Sequence, residues 1–223
     1  YRIGIGEGPR NAMIVYSGGD DLFIVGAWNE VIELAVDIRD AFAEYTEGTL
    51  TISAGIGMYT PKYPISQIAY EVGDLEEESK NMPEKNSITI LPDGERHSVV
   101  LSDGQEKSVA DGTYTWEDFK EYVIGEKYQL ISGFFEGSEE RGTAFLYHLL
   151  ELIRDRNEKI NFARYVYLLA RLEPGQKAAH EQKKLYQAFA EKMYQWIGSD
   201  EDCRQLKTVM NLYAYMKRER KEQ

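Results

Sequence analysis

The sequence predicts an α+β domain over residues 1–91 and an all-α bundle over residues 114–223. In the first part, two short apolar runs are followed by a helical pattern, a strand, a second helical pattern and another strand. In the last part, apolar residues recur at the three- and four-residue spacing that is typical of helices packed in a bundle. Residues 92–113 are polar and contain Asp-Gly turns, so we expect a linker that carries a small hairpin.

A glycine turn with two adjacent acids is the main feature of the first domain. The apolar runs Ala12–Tyr16 and Leu22–Gly26 predict the two strands of a hairpin, and a glycine pair lies between them. The glycines permit positive φ and the close approach of another group. Asp20 and Asp21 follow at once, which places two carboxylates at one edge of the sheet. Because acids at turns are usually only solvated, the motif alone leaves an ordinary turn and a metal site both open.

The segments after the hairpin continue the predicted domain. They are a helix at Glu30–Tyr45, a strand at Leu50–Ile56, a helix at Ile65–Lys80 and a strand at Ser87–Leu91. Asn29 is expected to cap the first helix, and Gly55 and Gly57 predict either a bulge or a close approach by another group. This order corresponds to the later part of a split βαβ, ferredoxin-like sheet, the architecture of polymerase palms. Because a complete palm begins with one more strand and helix, we expect a piece of a longer polypeptide.

Composition and charge narrow the classes of function. No apolar run approaches the roughly 20 residues of a membrane span. The sequence is 43% hydrophobic and 29% charged, as in soluble globular proteins. Its net charge of −12 will not attract nucleic acid over long distances, so any such contact must be local or be made by partner subunits. The single cysteine, Cys203, rules out an internal disulfide and fits a reducing cytoplasm.

The segment Tyr16–Phe23 resembles the GGDD signature of the large subunit of type III CRISPR–Cas effector complexes, which is related to the GGDEF nucleotide cyclases. Other segments of the first domain are similar to the palm of the same family, namely Leu50–Ile56, Leu75–Lys80 and Lys85–Thr89. Two later segments, Arg141–Arg154 and Ile160–Arg171, resemble the helical domain of its type III-A form. The resemblance implies a ferredoxin-like polymerase or cyclase palm, N-terminally incomplete, followed by an all-α helical bundle.

The resemblance also implies a cyclic oligoadenylate synthetase that uses ATP and is activated by target RNA. In that reaction a 3′-hydroxyl attacks an α-phosphate and pyrophosphate leaves, while divalent metal offsets the developing charge. Asp20 and Asp21 are implied to be the catalytic acids that bind Mg²⁺ or Mn²⁺, because carboxylate oxygens are ligands that these ions prefer. The residues implied to contact the nucleotide are Ser17, Gly18, Gly19, Lys80 and Lys85. For both lysines, a solvated surface position is the alternative.

The same family implies a ribonucleoprotein in the cytoplasm. Its expected partners are other subunits of the effector complex, including small helical subunits, together with guide RNA, target RNA and ATP, and no membrane. The family places another metal-binding acid on a strand upstream of Tyr1, so we expect this portion alone to be incompetent for catalysis. No His-Asp pair of the family's nuclease type occurs here, so that activity is not assigned. Two alternatives stay open, a non-catalytic scaffold with vestigial acids and a diguanylate-cyclase-like enzyme.

Overall fold

The predicted order of hairpin, helix, strand, helix and strand is confirmed in the computed structural model, which describes residues 9–136, 143–156 and 158–222. The chain divides into two compact units, Tyr1–Ile124 and Gly125–Gln223. The predicted domain boundaries at residues 91 and 113 stay predictions. No helix in the described part of the chain is both long enough and apolar enough to span a bilayer.

The elements of the first unit follow in chain order. They are β1 (Ala12–Gly18), β2 (Asp21–Gly26), α1 (Trp28–Tyr45), β3 (Ala54–Ile56), α2 (Ile65–Ser79), a 3-10 turn (Pro83–Lys85), β4 (Ser87–Ile90), β5 (Arg96–Val100), β6 (Glu106–Ala110), β7 (Thr113–Thr115) and α3 (Trp116–Asp118). A π-helical stretch, Phe119–Tyr128, continues the chain into the second unit. The helices of the second unit are α4 (Gln129–Phe135), α5 (Thr143–Arg154), α6 (Lys159–Ala170), α7 (His180–Trp196) and α8 (Asp200–Glu222).

Separate hydrogen-bond ladders connect the described strands. β1 and β2 form the predicted antiparallel hairpin, in which Gly18 lies opposite Asp21. β4 is the central strand of a second sheet, parallel to β3 on one side and antiparallel to β7 on the other. β5 and β6 form a small hairpin by themselves. Within the described residues, β2 pairs only with β1 and β3 pairs only with β4, so both strands have an open edge.

Strand β4 forms the buried centre of the three-stranded sheet. Ile88 and Ile90 are fully buried, and α2 packs against both β3 and β4. The polar residues of β4 are buried with hydrogen-bond partners, since Ser87 Oγ donates to Ser79 O at 2.6 Å and Thr89 Oγ1 lies 3.0 Å from the hydroxyl of Thr113. Every residue of β4 is therefore buried, and the polar side chains among them have the hydrogen-bond partners that burial requires.

The capping prediction at Asn29 is wrong. Helix α1 begins at Trp28, and Ala27 occupies the N-cap position without a side-chain hydrogen bond. The start of the helix is tied instead to the residue before β1. Ala27 N donates to Asn11 O at 2.9 Å, and the Asn11 amide donates to the carboxylate of Glu30. A tertiary contact thus replaces the local cap.

The strand predicted at Leu50–Ile56 is shorter in the structure and contains only Ala54–Ile56. The reason lies in the residues before it, because the hydroxyls of Thr51 and Ser53 donate to backbone carbonyls of the segment that precedes β4. Hydrogen bonds from side chains to the backbone compete with strand pairing, and the alternation of apolar and polar residues does not reveal them.

The helical region predicted from Tyr114 onward begins two residues later, at Trp116. Tyr114 belongs to β7, where it lies opposite Ile88 of β4. Thr115 is the N-cap, and its Oγ1 accepts a hydrogen bond from Asp118 N at 3.1 Å. The last strand of the sheet therefore leads directly into the helical part of the chain.

The second unit has an aromatic core. Phe189 of α7 is fully buried and stacks on Phe134 of α4, with ring centroids 3.9 Å apart and planes 4° apart. The Phe189 and Phe135 rings meet edge to face, with their centroids 5.8 Å apart.

A buried cation lies in the same unit, where Lys127 Nζ is 2.8 Å from the carboxylate of Asp202 and 2.7 Å from Gln205 Oε1. This charge is compensated by hydrogen-bonded partners, as a buried ammonium requires.

Candidate metal and nucleotide site

The turn between β1 and β2 presents both acids to solvent. Gly19 adopts φ +63°, a conformation that glycine adopts without strain, and a side chain there would meet nothing within 4 Å. Gly18 lies against the ring of Tyr16, because a Cβ at Gly18 would lie 2.7 Å from the Tyr16 hydroxyl. Asp20 completes the turn and Asp21 begins β2, and both are exposed. The predicted turn is confirmed, with two carboxylates at its tip.

Asp20 and Asp21 line one cavity, whose volume is about 480 Å³. Five segments contribute to its walls: the hairpin, α1, the residues from Ile52 to Ile56, α2, and Trp116 at the start of α3. The walls are mostly apolar side chains, among them Phe23 and Ile38. The cavity therefore has a carboxylate-bearing rim and an apolar interior, and residues of both β2 and β3 line it.

The two lysines of the predicted site have different surroundings. Lys80 Nζ forms ion pairs with Glu76 at 2.9 Å and with Glu77 at 2.8 Å, and these hydrogen bonds raise the pKa of Lys80. Glu76 itself lines the cavity. Lys85 is exposed and lies in the turn before β4. The structure thus places Asp20 and Asp21 at the cavity, whereas neither lysine lines it, and their contact with a phosphate stays a prediction.

The acids of the turn supply only part of a cation site. Mg²⁺ takes about six oxygen ligands, so two carboxylates leave positions for nucleotide oxygens, water and a further protein group. A different set of acids, Asp93, Glu95 and Asp111, has carboxylate oxygens within 4.8 Å of one another near the base of the β5–β6 hairpin. Two of these acids form local hydrogen bonds, because Asp93 Oδ1 accepts from Glu95 N and Asp111 Oδ1 lies 3.0 Å from His97 Nδ1.

Two cavity residues were missed by sequence reasoning. Ser53 lines the cavity and donates its hydroxyl to Lys85 O at 2.7 Å. Trp116 is almost fully buried, lines the same cavity and donates its indole N–H to Ile52 O at 2.9 Å. The alternation of hydroxyl residues at Thr51 and Ser53 was visible in the sequence, whereas the approach of Trp116 from 64 residues away was not.

Gly55 confirms the close approach predicted for it. A Cβ at this position would lie 2.5 Å from Glu76 N and 2.6 Å from Val72 O, both backbone atoms of α2. We expect Gly55→Ala to lower the free energy of unfolding of the first unit by about 1–3 kcal/mol, because neither backbone can move aside without cost. Hydrogen exchange of the α2 and β4 amides measures this change.

Gly73 of α2 is the matched control. A Cβ there would meet nothing within 4 Å, so Gly73→Ala is expected to stabilise the helix by up to about 1 kcal/mol. If both substitutions had the same effect, the close packing of β3 on α2 would not be the reason for glycine at position 55.

Comparison with known proteins identifies both parts of the chain. Residues 5–89 match the family model of the second palm domain of Cas10/Cmr2. Residues 132–219 match that of the second helical domain of the Cmr2 subunit of the CRISPR RNA silencing complex. The palm match includes the GGDD turn, α1, α2 and most of β4.

Three curated relatives are named CRISPR system single-strand-specific deoxyribonuclease Cas10/Csm1, subtype III-A. The Mycobacterium tuberculosis relative is 44% identical over 96% of this chain. The relatives from Streptococcus thermophilus and Enterococcus italicus are 34% and 35% identical, each over 92% of it. The chain spans about a quarter of the length of these relatives, with 24%, 25% and 23% covered. Because the domain models and the subtype III-A relatives agree along both parts of the chain, it belongs to the Cas10 family.

Proposed function

We propose that this chain forms part of a metal-dependent nucleotidyltransferase that joins ATP into cyclic oligoadenylates within a type III-A CRISPR effector complex. The observation that carries the proposal is the pair Asp20 and Asp21, exposed on a glycine turn at the rim of a cavity in a palm domain. Exposed, adjacent carboxylates next to Gly19, where a Cβ would meet nothing within 4 Å, leave room for a triphosphate and its cation.

Each residue of the turn then has a role in the reaction. Bound Mg²⁺ or Mn²⁺ would supply the positive charge that stabilises the transition state of α-phosphate attack. Asp20 would hold the cation, and Asp21 would either hold it as well or accept the proton of the attacking 3′-hydroxyl. Gly18 and Gly19 would let the nucleotide approach the backbone, and Ser17 would contact its base or ribose.

A further strand would complete this site. Within the described residues β2 and β3 each have one unpaired edge, and residues of both strands line the cavity; an unpaired edge can accept an added strand through backbone hydrogen bonds. We propose that another part of the longer polypeptide supplies it and brings a further acidic ligand to Asp20 and Asp21.

The second unit is proposed to dock other subunits, including small helical ones, near the guide–target duplex. Its helices expose large apolar residues, of which Ile160 is 58%, Phe162 48%, Tyr167 65% and Leu185 43% exposed. Large apolar side chains on a surface often mark contacts between proteins. Contact with RNA would have to be local, because the net charge of the chain is −12.

The test uses the full-length polypeptide in its assembled, guide-bearing complex. With ATP, target RNA and Mg²⁺ or Mn²⁺, we expect cyclic oligoadenylates and pyrophosphate, and we expect neither product after addition of EDTA. A control reaction contains GTP in place of ATP. Conversion of GTP to a cyclic dinucleotide in preference to ATP would favour the diguanylate-cyclase alternative, and turnover of neither nucleotide would favour a scaffold.

A further inference from the structure

The segment before β4 has an unusual backbone. Glu84 and Lys85 both adopt the left-handed region, with φ of +64° and +50°, and neither is glycine. L-residues avoid this region because Cβ approaches the following carbonyl oxygen. Two such residues in succession persist only where the surrounding structure holds them, and strain of this kind is concentrated at functional sites.

Hydrogen bonds from outside the segment hold three successive carbonyls. Glu84 O accepts from Thr51 Oγ1 at 3.1 Å, and Lys85 O accepts from Ser53 Oγ at 2.7 Å. The next carbonyl, that of Asn86, accepts from Trp116 N at 3.2 Å. The conformation of the segment is therefore imposed by residues remote in sequence.

These contacts connect the strained segment to the cavity. Ser53 and Trp116 both line the cavity that Asp20 and Asp21 border. The indole N–H of Trp116 also holds Ile52 O, which fixes the backbone next to Ser53. A single hydroxyl thus separates the wall of the cavity from the backbone of Lys85.

Lys80 and Lys85 differ in how closely carboxylates surround them. Lys80 forms close ion pairs with Glu76 and Glu77, whereas among the described residues Lys85 acts on Glu77 only at longer range, through an electrostatic interaction that helps to lower the pKa of Glu77. The Lys85 backbone is bonded to a residue of the cavity wall, and a lysine anchored there can bring its ammonium to the phosphates of a metal–nucleotide complex.

We propose that Ser53 is a positioning residue that holds Lys85 in the conformation from which its ammonium binds the triphosphate. The proposal rests on the proposed function, because it takes ATP as the ligand of the cavity. Ser53 acts only through the carbonyl of Lys85, and Thr51 supports the preceding carbonyl in the same way. The hydroxyl itself is the required group, so threonine at position 53 should preserve the effect.

The test is a double-mutant cycle in the full-length polypeptide within its complex. We expect Ser53→Ala to raise the KM for ATP about fivefold with little change in kcat, and Ser53→Thr to restore it. In a Lys85→Ala background, Ser53→Ala should change KM by less than about twofold, because the residue it positions is absent. Ser66→Ala, which removes an exposed hydroxyl of α2, is the control and should leave KM unchanged.

The affinity for ATP of the same variants, measured at equilibrium with Ca²⁺ in place of Mg²⁺, provides the double-mutant cycle without turnover. If the wild-type complex binds ATP but forms no oligoadenylate, the proposed function fails while the positioning role is still measured by the binding cycle. Equal effects of Ser53→Ala with and without Lys85 would overturn the positioning role, as would a Ser53→Thr variant as weak as Ser53→Ala.

Discussion

Replacing Asp20 and Asp21 together by asparagine is expected to lower oligoadenylate formation about a thousandfold, which corresponds to about 4 kcal/mol of transition-state stabilisation. Asparagine keeps the size of each side chain but removes the negative charge that a divalent cation requires. Both acids are exposed at the turn, so the substitutions should leave the hairpin intact. The initial rate of pyrophosphate release by the assembled complex, with target RNA, ATP and Mg²⁺, measures the effect.

Asp74→Asn is the matched control for this loss of charge. Asp74 is an exposed acid of α2 that does not line the cavity, so its replacement should leave the rate unchanged. A double variant that retained more than about a tenth of the wild-type rate would contradict the catalytic role of the pair and favour a scaffold with vestigial acids.

Phe189→Ala is expected to lower the free energy of unfolding of the second unit by about 3–5 kcal/mol. Phe189 is fully buried, stacks on Phe134 and meets Phe135 edge-on, so alanine would leave a cavity between α4 and α7 and remove both ring contacts. Since a domain is stabilised by only about 5–15 kcal/mol, a loss of this size removes much of its stability. Hydrogen exchange of the α7 and α8 amides reports it directly.

Phe162→Ala provides the comparison within the same unit. Phe162 lies on α6 with 48% of its side chain exposed, so its truncation should change stability by less than about 0.5 kcal/mol. Equal losses for the two phenylalanines would mean that the aromatic stack around Phe189 does not stabilise the unit. For the affinity between subunits in the assembled complex we expect the opposite order. Phe162→Ala should weaken the subunit contacts directly, whereas Phe189→Ala should act only through folding.

The sequence by itself determined the order of elements in the first unit and the position of its acids. The hairpin at residues 12–26 could be predicted because the apolar runs and the glycine turn are local features. The same holds for α1 and α2, whose periodicity depends only on nearby residues. The GGDD turn and the C-terminal helices also identified the family, since a motif and its spacing are carried by the chain itself.

Only the tertiary structure decided how these parts meet. The cavity beside Asp20 forms from five segments that are separated in sequence, and the helix capping expected at Asn29 was replaced by contacts with Asn11. The ion pairs of Lys80 could have been anticipated from its spacing on α2, whereas the hydroxyl of Ser53 and the indole of Trp116 reach backbone carbonyls more than 30 residues away. Such contacts follow from packing, which places groups together whatever their separation along the chain, and local propensity contains no information about them.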